Sequence, residues 1–274
     1  MFFATRSTAS VPGYTDRGLK PRKIARVGVL GGGLMGAGIA AACLFNGMEV
    51  LLKEVSQQFL DGGLARVKAN VESMAKKKKM SPDAVAAILG RLRGTLDYSG
   101  FGALDMVIEA VLEDLKLKQQ IFADLEKACS PTCILSTNTS TIDITKVAAN
   151  TSCPDRVVGA HFFSPAHIMQ LFEIVRTSKT SPQTVVDTLG FSKQIKKMPV
   201  VVGNCTGFAV NRVFFPYTMS ACLAADLGMD PYRIDAVISK RFGMPMVRAC
   251  DGDRAAPPAV TDLGPPSIHR APSA

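Results

Sequence analysis

Short uninterrupted apolar runs alternate with longer stretches of helical periodicity along most of this chain. Arg26–Leu30, Glu49–Glu54, Asp105–Glu109, Cys133–Ser136, Arg156–Phe162, Leu171–Val175 and Pro199–Val202 are short, rich in Val, Ile and Leu, and mostly lack polar alternation. That pattern predicts strands buried on both faces, as in a parallel sheet. Ala37–Phe45, Ser56 to about Ala75, a segment opening at Ser81, Asp114–Ala128 and Pro182–Lys196 predict the intervening helices. Ser81 has the chemistry of an N-cap, and Pro82 suits a first helical position. Strand–helix alternation of this kind predicts a doubly wound, mostly parallel α/β sheet. From Thr206 onward the pattern becomes all-helical, so a second domain is expected to start near residue 204.

The turn after the first strand gives this sheet a purpose. Gly31-Gly32-Gly33-Leu34-Met35-Gly36 places the frame Gly31-x-Gly33-x-x-Gly36 between a strand and a helix. The first glycine allows a tight turn and the second lets backbone N–H groups approach a pyrophosphate. The third is expected to let the helix pack closely on the sheet, and the helix N-terminus offers partial positive charge. Glu54, at the end of the second strand, can accept both ribose hydroxyls and would repel a 2′-phosphate. The expected fold is therefore Rossmann-like and the expected cofactor NAD.

Candidate chemistry collects at other strand ends. His161 closes the strand Val157-Val158-Gly159-Ala160, ahead of Phe162-Phe163-Ser164-Pro165. Imidazoles exchange protons near neutrality, which suits a general base. Glu173 is the one acid within Leu171–Val175, and a buried charge there needs a partner. A hydrogen bond to His161 would supply one and fix the ring tautomer. Thr137-Asn138-Thr139-Ser140 is dense in hydroxyls. It reads either as a helix cap or as a run placing Ser140 beside the reacting oxygen. Asn211 falls in a helix that otherwise looks buried, where an amide needs a reason.

The formal net charge of +9 suits anionic ligands, but no aromatic-interleaved basic patch argues for nucleic acid. The seven cysteines are scattered and form no metal or disulfide pattern, and no apolar run is long enough to span a membrane. Residues 1–22 read as a linker-like segment and residues 247–274 as a disordered Pro-rich tail. Between them, 23–203 is the expected NAD-binding domain and 204–246 a partial helical domain.

The motifs resemble those of the 3-hydroxyacyl-CoA dehydrogenase family. The resemblance rests on Gly31–Gly36, Ile108-Glu109-Ala110-Val111-Leu112-Glu113, Ser136–Ser140, His161–Pro165 and Thr206–Arg212. It runs from about residue 24 to 246. Residues 11–21 also resemble the linker before this module in plant peroxisomal multifunctional β-oxidation proteins. The resemblance implies NAD-dependent oxidation of an L-3-hydroxyacyl-CoA to a 3-oxoacyl-CoA. His161 would be the base, Glu173 its partner, and Ser140 and Asn211 would support the substrate oxygen. Glu113 and Lys118 would contact the cofactor on its nicotinamide side. Taken by themselves, those two are a helix-opening acid and a solvated lysine.

Lys76-Lys77-Lys78-Lys79 would approach the phosphates of the CoA moiety, or is simply a solvated basic turn. Thr137 stands where the family uses serine, and Ser164 matches the multifunctional branch rather than the monofunctional enzymes. After Met246 the sequence departs from the family, whose longer helical domain closes the site and forms much of the dimer surface. Residues 206–240 would then expose apolar faces unless a dimer mate or partner chain covers them. The resemblance also implies a peroxisomal setting, although the C-terminal residues are not a peroxisomal address and the cytosol stays open. Three readings follow: the dehydrogenase, an NAD-binding fragment without turnover, and a dehydrogenase of small hydroxyacids sharing the glycine turn.

Overall fold

Seven parallel or antiparallel pairings knit eight strands into one sheet, in the order β3-β2-β1-β4-β5-β6-β7-β8. The computed structural model describes residues 7–8 and 10–243. In chain order the elements are β1 (Arg26–Leu30), α1 (Leu34–Phe45), β2 (Glu49–Lys53), α2 (Gln57–Lys77), α3 (Pro82–Leu89) and β3 (Leu92–Thr95). There follow β4 (Met106–Glu109), α4 (Leu115–Ala128), β5 (Ile134–Thr137), α5 (Ile144–Val147), β6 (Val157–Phe162), β7 (Leu171–Arg176), α6 (Pro182–Gln194) and β8 (Met198–Gly203). The chain divides into two units at Phe208.

The sheet is the expected mostly parallel one, with one reversal. β6 and β7 run antiparallel, while every other neighbouring pair is parallel. Residues 163–170 between them are too few for a parallel crossover, which needs a dozen or more. The strands of the centre are apolar on both faces because helices cover both. Val27, Val29, Met106, Ile108, Ile134 and Val158 face one apolar cluster; Val107, Leu135, Val157 and Val175 face the other.

Three details differ from the sequence expectation. The first helix starts at Leu34 rather than Ala37, because Gly33 takes the N-cap and the rest of the glycine frame is already helical. The strand Leu92–Thr95 was not anticipated. It pairs in parallel with β2 at the sheet edge and carries Arg93 and Gly94 in exposed positions, so it shows no apolar run. Finally, residues 10–22 form no plain linker. Asp187 on α6 is fully buried, and Arg22 satisfies it through its backbone N at 2.7 Å and its guanidinium at 2.6 Å. The same guanidinium donates to the Thr132 carbonyl at 2.9 Å. Arg22→Ala should remove the charged partner, leaving the carboxylate only the residue-22 N–H and the Gln183 amide at 2.8 Å, and lower stability by about 1–3 kcal/mol. The check is the urea midpoint of the sheet's circular dichroism signal; an unmoved midpoint would show that the anchor contributes nothing.

The second unit, described from Ala209 to Gly243, contains α7 (Val210–Asp226) and α8 (Pro231–Phe242). α7 is not the buried helix the sequence suggested: Val213, Met219 and Leu223 are exposed, and Ala221 is its one buried residue. One face packs against α8 and the others meet no described neighbour within this unit. The tail expected over residues 247–274 lies outside the described residues. Among the described residues no helix is long and apolar enough to cross a membrane, and no side-chain cluster could hold a metal ion.

Candidate active site

The turn between β1 and α1 is held open by geometry rather than by side chains. Gly31 has φ +92°, and a Cβ there would stand 2.6 Å from the Ala110 carbonyl oxygen. A Cβ on Gly36 would lie 1.8 Å from the Gly31 carbonyl oxygen and 3.4 Å from Val29. Gly36 therefore closes the turn on itself first, and close helix–sheet packing comes second. At Gly33 a Cβ would meet nothing within 4 Å, so this residue borders open space in front of the helix. The N-terminus of α1 has no side-chain cap and no acid in its first turn. Leu34 and Met35 begin the helix there, and their amides are among the N–H groups that no helical carbonyl takes. An anion fits this place.

Glu54 follows β2 and reaches back to the turn. Its Oε1 accepts the Gly32 N–H at 2.5 Å and its Oε2 accepts that of Val55 at 3.2 Å. Each oxygen retains acceptor capacity for a hydroxyl. Uncapped amides, a glycine that leaves room and a fixed carboxylate together match the diphosphate and ribose of a dinucleotide.

On the other side of the turn, past β4, lies a charged network that sequence reasoning did not find. Glu109 is fully buried at the end of β4, and the Lys118 ammonium donates to it at 2.6 Å. Glu109 also accepts the Val111 N–H at 2.8 Å and the Thr137 hydroxyl at 2.7 Å. Lys118 is only 1% exposed, so it is not the solvated lysine its type suggested. It also reaches Glu113 at 3.2 Å, whose side chain remains 41% exposed. Glu113 in turn accepts the Thr139 hydroxyl and, at 3.2 Å, the Ser140 N–H. The hydroxyl run is therefore not the cap of α5, a task that Asp143 performs by accepting the Thr145 N–H at 2.8 Å. The missed signals were present: Glu109 ends an apolar strand, and Lys118 shares a helix face with Ile121, Phe122 and Leu125.

His161 and Glu173 are opposite residues of the antiparallel β6–β7 pair. His161 Nδ1 and Glu173 Oε2 lie 2.7 Å apart, with the carboxylate fully buried. A carboxylate only accepts, so Nδ1 carries the proton and Nε2 keeps a basic lone pair. Phe163 and Phe208 pack against the imidazole at 4.5 and 5.7 Å between centroids. The loop that joins the two strands is itself pinned. Lys197 donates to the Ala166 carbonyl at 2.6 Å and to that of Met169, and Ala166 abuts Gly38 of α1. Burial draws Lys197 below the ordinary lysine range and pushes the neighbouring Cys43 thiol up to about 12.

The structure thus groups the expected residues into three sets. Gly31, Gly33, Leu34, Met35, Gly36 and Glu54 form the turn; Glu113, Lys118 and Ser140 form the network; His161 and Glu173 form the pair. Asn211 is half-buried on the first turn of α7, in the second unit. The Lys76–Lys79 run forms the end of α2 and the turn after it, with Lys78 over the Phe45 ring at 4.9 Å.

Such a sheet, with its glycine turn and a carboxylate-backed imidazole at the strand ends, defines a dinucleotide-dependent oxidoreductase module. Residues 26–205 match the model of the 3-hydroxyacyl-CoA dehydrogenase NAD binding domain, and residues 207–249 that of the family's C-terminal domain. The chain belongs to the 3-hydroxyacyl-CoA dehydrogenase family. It is 59% identical over 253 residues to the peroxisomal fatty acid beta-oxidation multifunctional protein MFP2 of Arabidopsis thaliana, covering 92% of this chain and 35% of the relative. To the glyoxysomal multifunctional protein MFP-a of Brassica napus it is 58% identical, with the same coverage. The chain thus spans about a third of the length of these curated relatives. Among solved structures, (S)-3-hydroxybutyryl-CoA dehydrogenase PaaH1 from Ralstonia eutropha matches with a TM-score of 0.78 and 36% identity. That match covers 82% of this chain and 80% of the other.

Proposed function

We propose that this chain oxidises the 3-hydroxyl of an L-3-hydroxyacyl-CoA to a ketone with NAD as acceptor. The observation that carries this reading is the 2.7 Å His161–Glu173 pair on the same strand-end edge as the glycine turn. Strand order reverses between β1 and β4, the switch point at which ligands of open α/β sheets bind. Glu54 lies on the β2 side of that point and is assigned the adenosine ribose. Glu113, Ser140 and His161, at the ends of β4, β5 and β6, are then the residues that would hold the opposite half.

Bound NAD supplies the acceptor for the hydride leaving the carbinol carbon. His161 takes the hydroxyl proton at Nε2, and Glu173 stabilises the imidazolium that forms. Ser140 and Asn211 are assigned to hold the substrate oxygen. Glu113, the exposed member of the network, is the group able to touch a ligand, and Lys118 sets its position. The exposed apolar residues of α7 and α8, such as Val213, Leu223 and Phe242, are the surface on which a dimer mate or partner chain closes. The names of the plant relatives favour a peroxisomal setting.

The test pairs NADH binding by calorimetry with consumption of NADH on acetoacetyl-CoA. Binding with consumption supports the proposal. Binding without consumption favours the second reading, an NAD-binding fragment, for which those exposed faces are the specific support.

A further inference from the structure

Lys118 and Glu109 form an ion pair in the dry interior, yet the group they belong to is not neutral. Glu109 and Glu113 are two carboxylates on one ammonium, which leaves a net negative charge on the triad. Each member is fixed: Glu109 by three donors, Lys118 by burial among carboxylates, and Glu113 by Thr139 and Ser140. A neutral residue at 109 could still serve the Val111 amide and the Thr137 hydroxyl. A buried ion pair that only held the fold could be replaced by apolar packing at little cost. The surplus charge is therefore a property in its own right, and it emerges at Glu113, the member in contact with solvent.

We propose that the Glu109–Lys118–Glu113 triad sets the redox preference of the site, its surplus negative charge favouring the oxidised cofactor over the reduced one. This rests on the reading that the nicotinamide half lies over the ends of β4 and β5. The oxidised ring is cationic and the reduced ring neutral, so a fixed negative charge beside it stabilises the first and leaves the second nearly unaffected. Glu109 is then a positioning residue: it sets the charge of the triad through Lys118 without touching ligand. Thr137 and Thr139 bond to Glu109 and Glu113, and Glu113 in turn accepts the Ser140 N–H, so the same network holds the loop of Ser140.

The test measures dissociation constants of NAD+ and NADH separately, at fixed pH and salt, by calorimetry on the full chain. Glu109→Gln brings the triad to neutrality and should lower the preference for NAD+ about tenfold; Lys118→Met adds a negative charge and should raise it about tenfold, the scale of a unit charge in a partly screened site. The double variant restores the original net charge and should restore the original ratio, whatever happens to either affinity alone. Damage to structure would weaken both ligands in both variants and would not reverse sign. Should Glu109→Gln fail to fold, Glu113→Gln removes the same charge and must move the ratio the same way. Ratios that stay put, or shift in one direction in both single variants, overturn the proposal. If the unaltered chain binds neither nucleotide, the reading beneath it fails as well; binding of both with an unmoved ratio sinks the triad proposal alone.

Discussion

His161→Gln is expected to lower kcat for reduction of acetoacetyl-CoA by about 10²–10⁴-fold, the range typical for loss of a positioned acid–base group. NADH binding should survive, because the ring belongs to β6 and the glycine turn to β1. Glu173→Gln is the more revealing partner. It preserves shape opposite His161 but removes the fixed negative charge, so the imidazolium loses its support and the tautomer is no longer imposed. Its loss in kcat should be clear but smaller than that of His161→Gln, with NADH affinity again intact. Equal turnover in either variant and the unaltered chain would remove the pair from the chemistry.

Two substitutions in one turn should separate stability from binding. Gly36→Ala must push a methyl group to within 1.8 Å of the Gly31 carbonyl oxygen, which no side-chain adjustment can relieve. The turn has to open, at a cost of about 1–3 kcal/mol for forced overpacking. Displacing the backbone amides of the turn is expected to weaken NADH binding measurably. At Gly33 a methyl group meets no protein atom within 4 Å, so Gly33→Ala should leave thermal stability unchanged. It should nevertheless weaken NADH binding, because the methyl occupies space in front of the helix. Thermal melting with and without NADH reads both variants. If Gly33→Ala bound NADH as tightly as the unaltered chain, the berth would lie elsewhere.

The sheet was legible in the sequence because its central strands are apolar on both faces, and that pattern admits few alternatives. The glycine turn was legible because Gly31 and Gly36 perform steric tasks that no other residue can. Leu92–Thr95 was not, since an exposed edge strand has no apolar run to betray it. Pairing direction was readable at β7 from the length of the loop before it, a rule about connections rather than about residues. Lys118 shows the limit of reasoning from residue type. Lysine defaults to solvent, and only its place in the apolar stripe of α4, with Glu109 waiting at the end of β4, signals otherwise. The helix that carries Asn211 departs in the opposite sense. Apolar side chains on α7 suggested burial, yet in this unit they face outward.

Because His161 and Glu173 are cross-strand neighbours, their spacing is inherited from the backbone ladder and not from the segment between them. Residues 163–170 could lengthen or change composition and the imidazole would still meet its acid. A slip of one residue in β7 would instead offer it Phe172 or Ile174 and turn Glu173 toward the opposite, apolar face, so register fixes the chemistry and the sheet together.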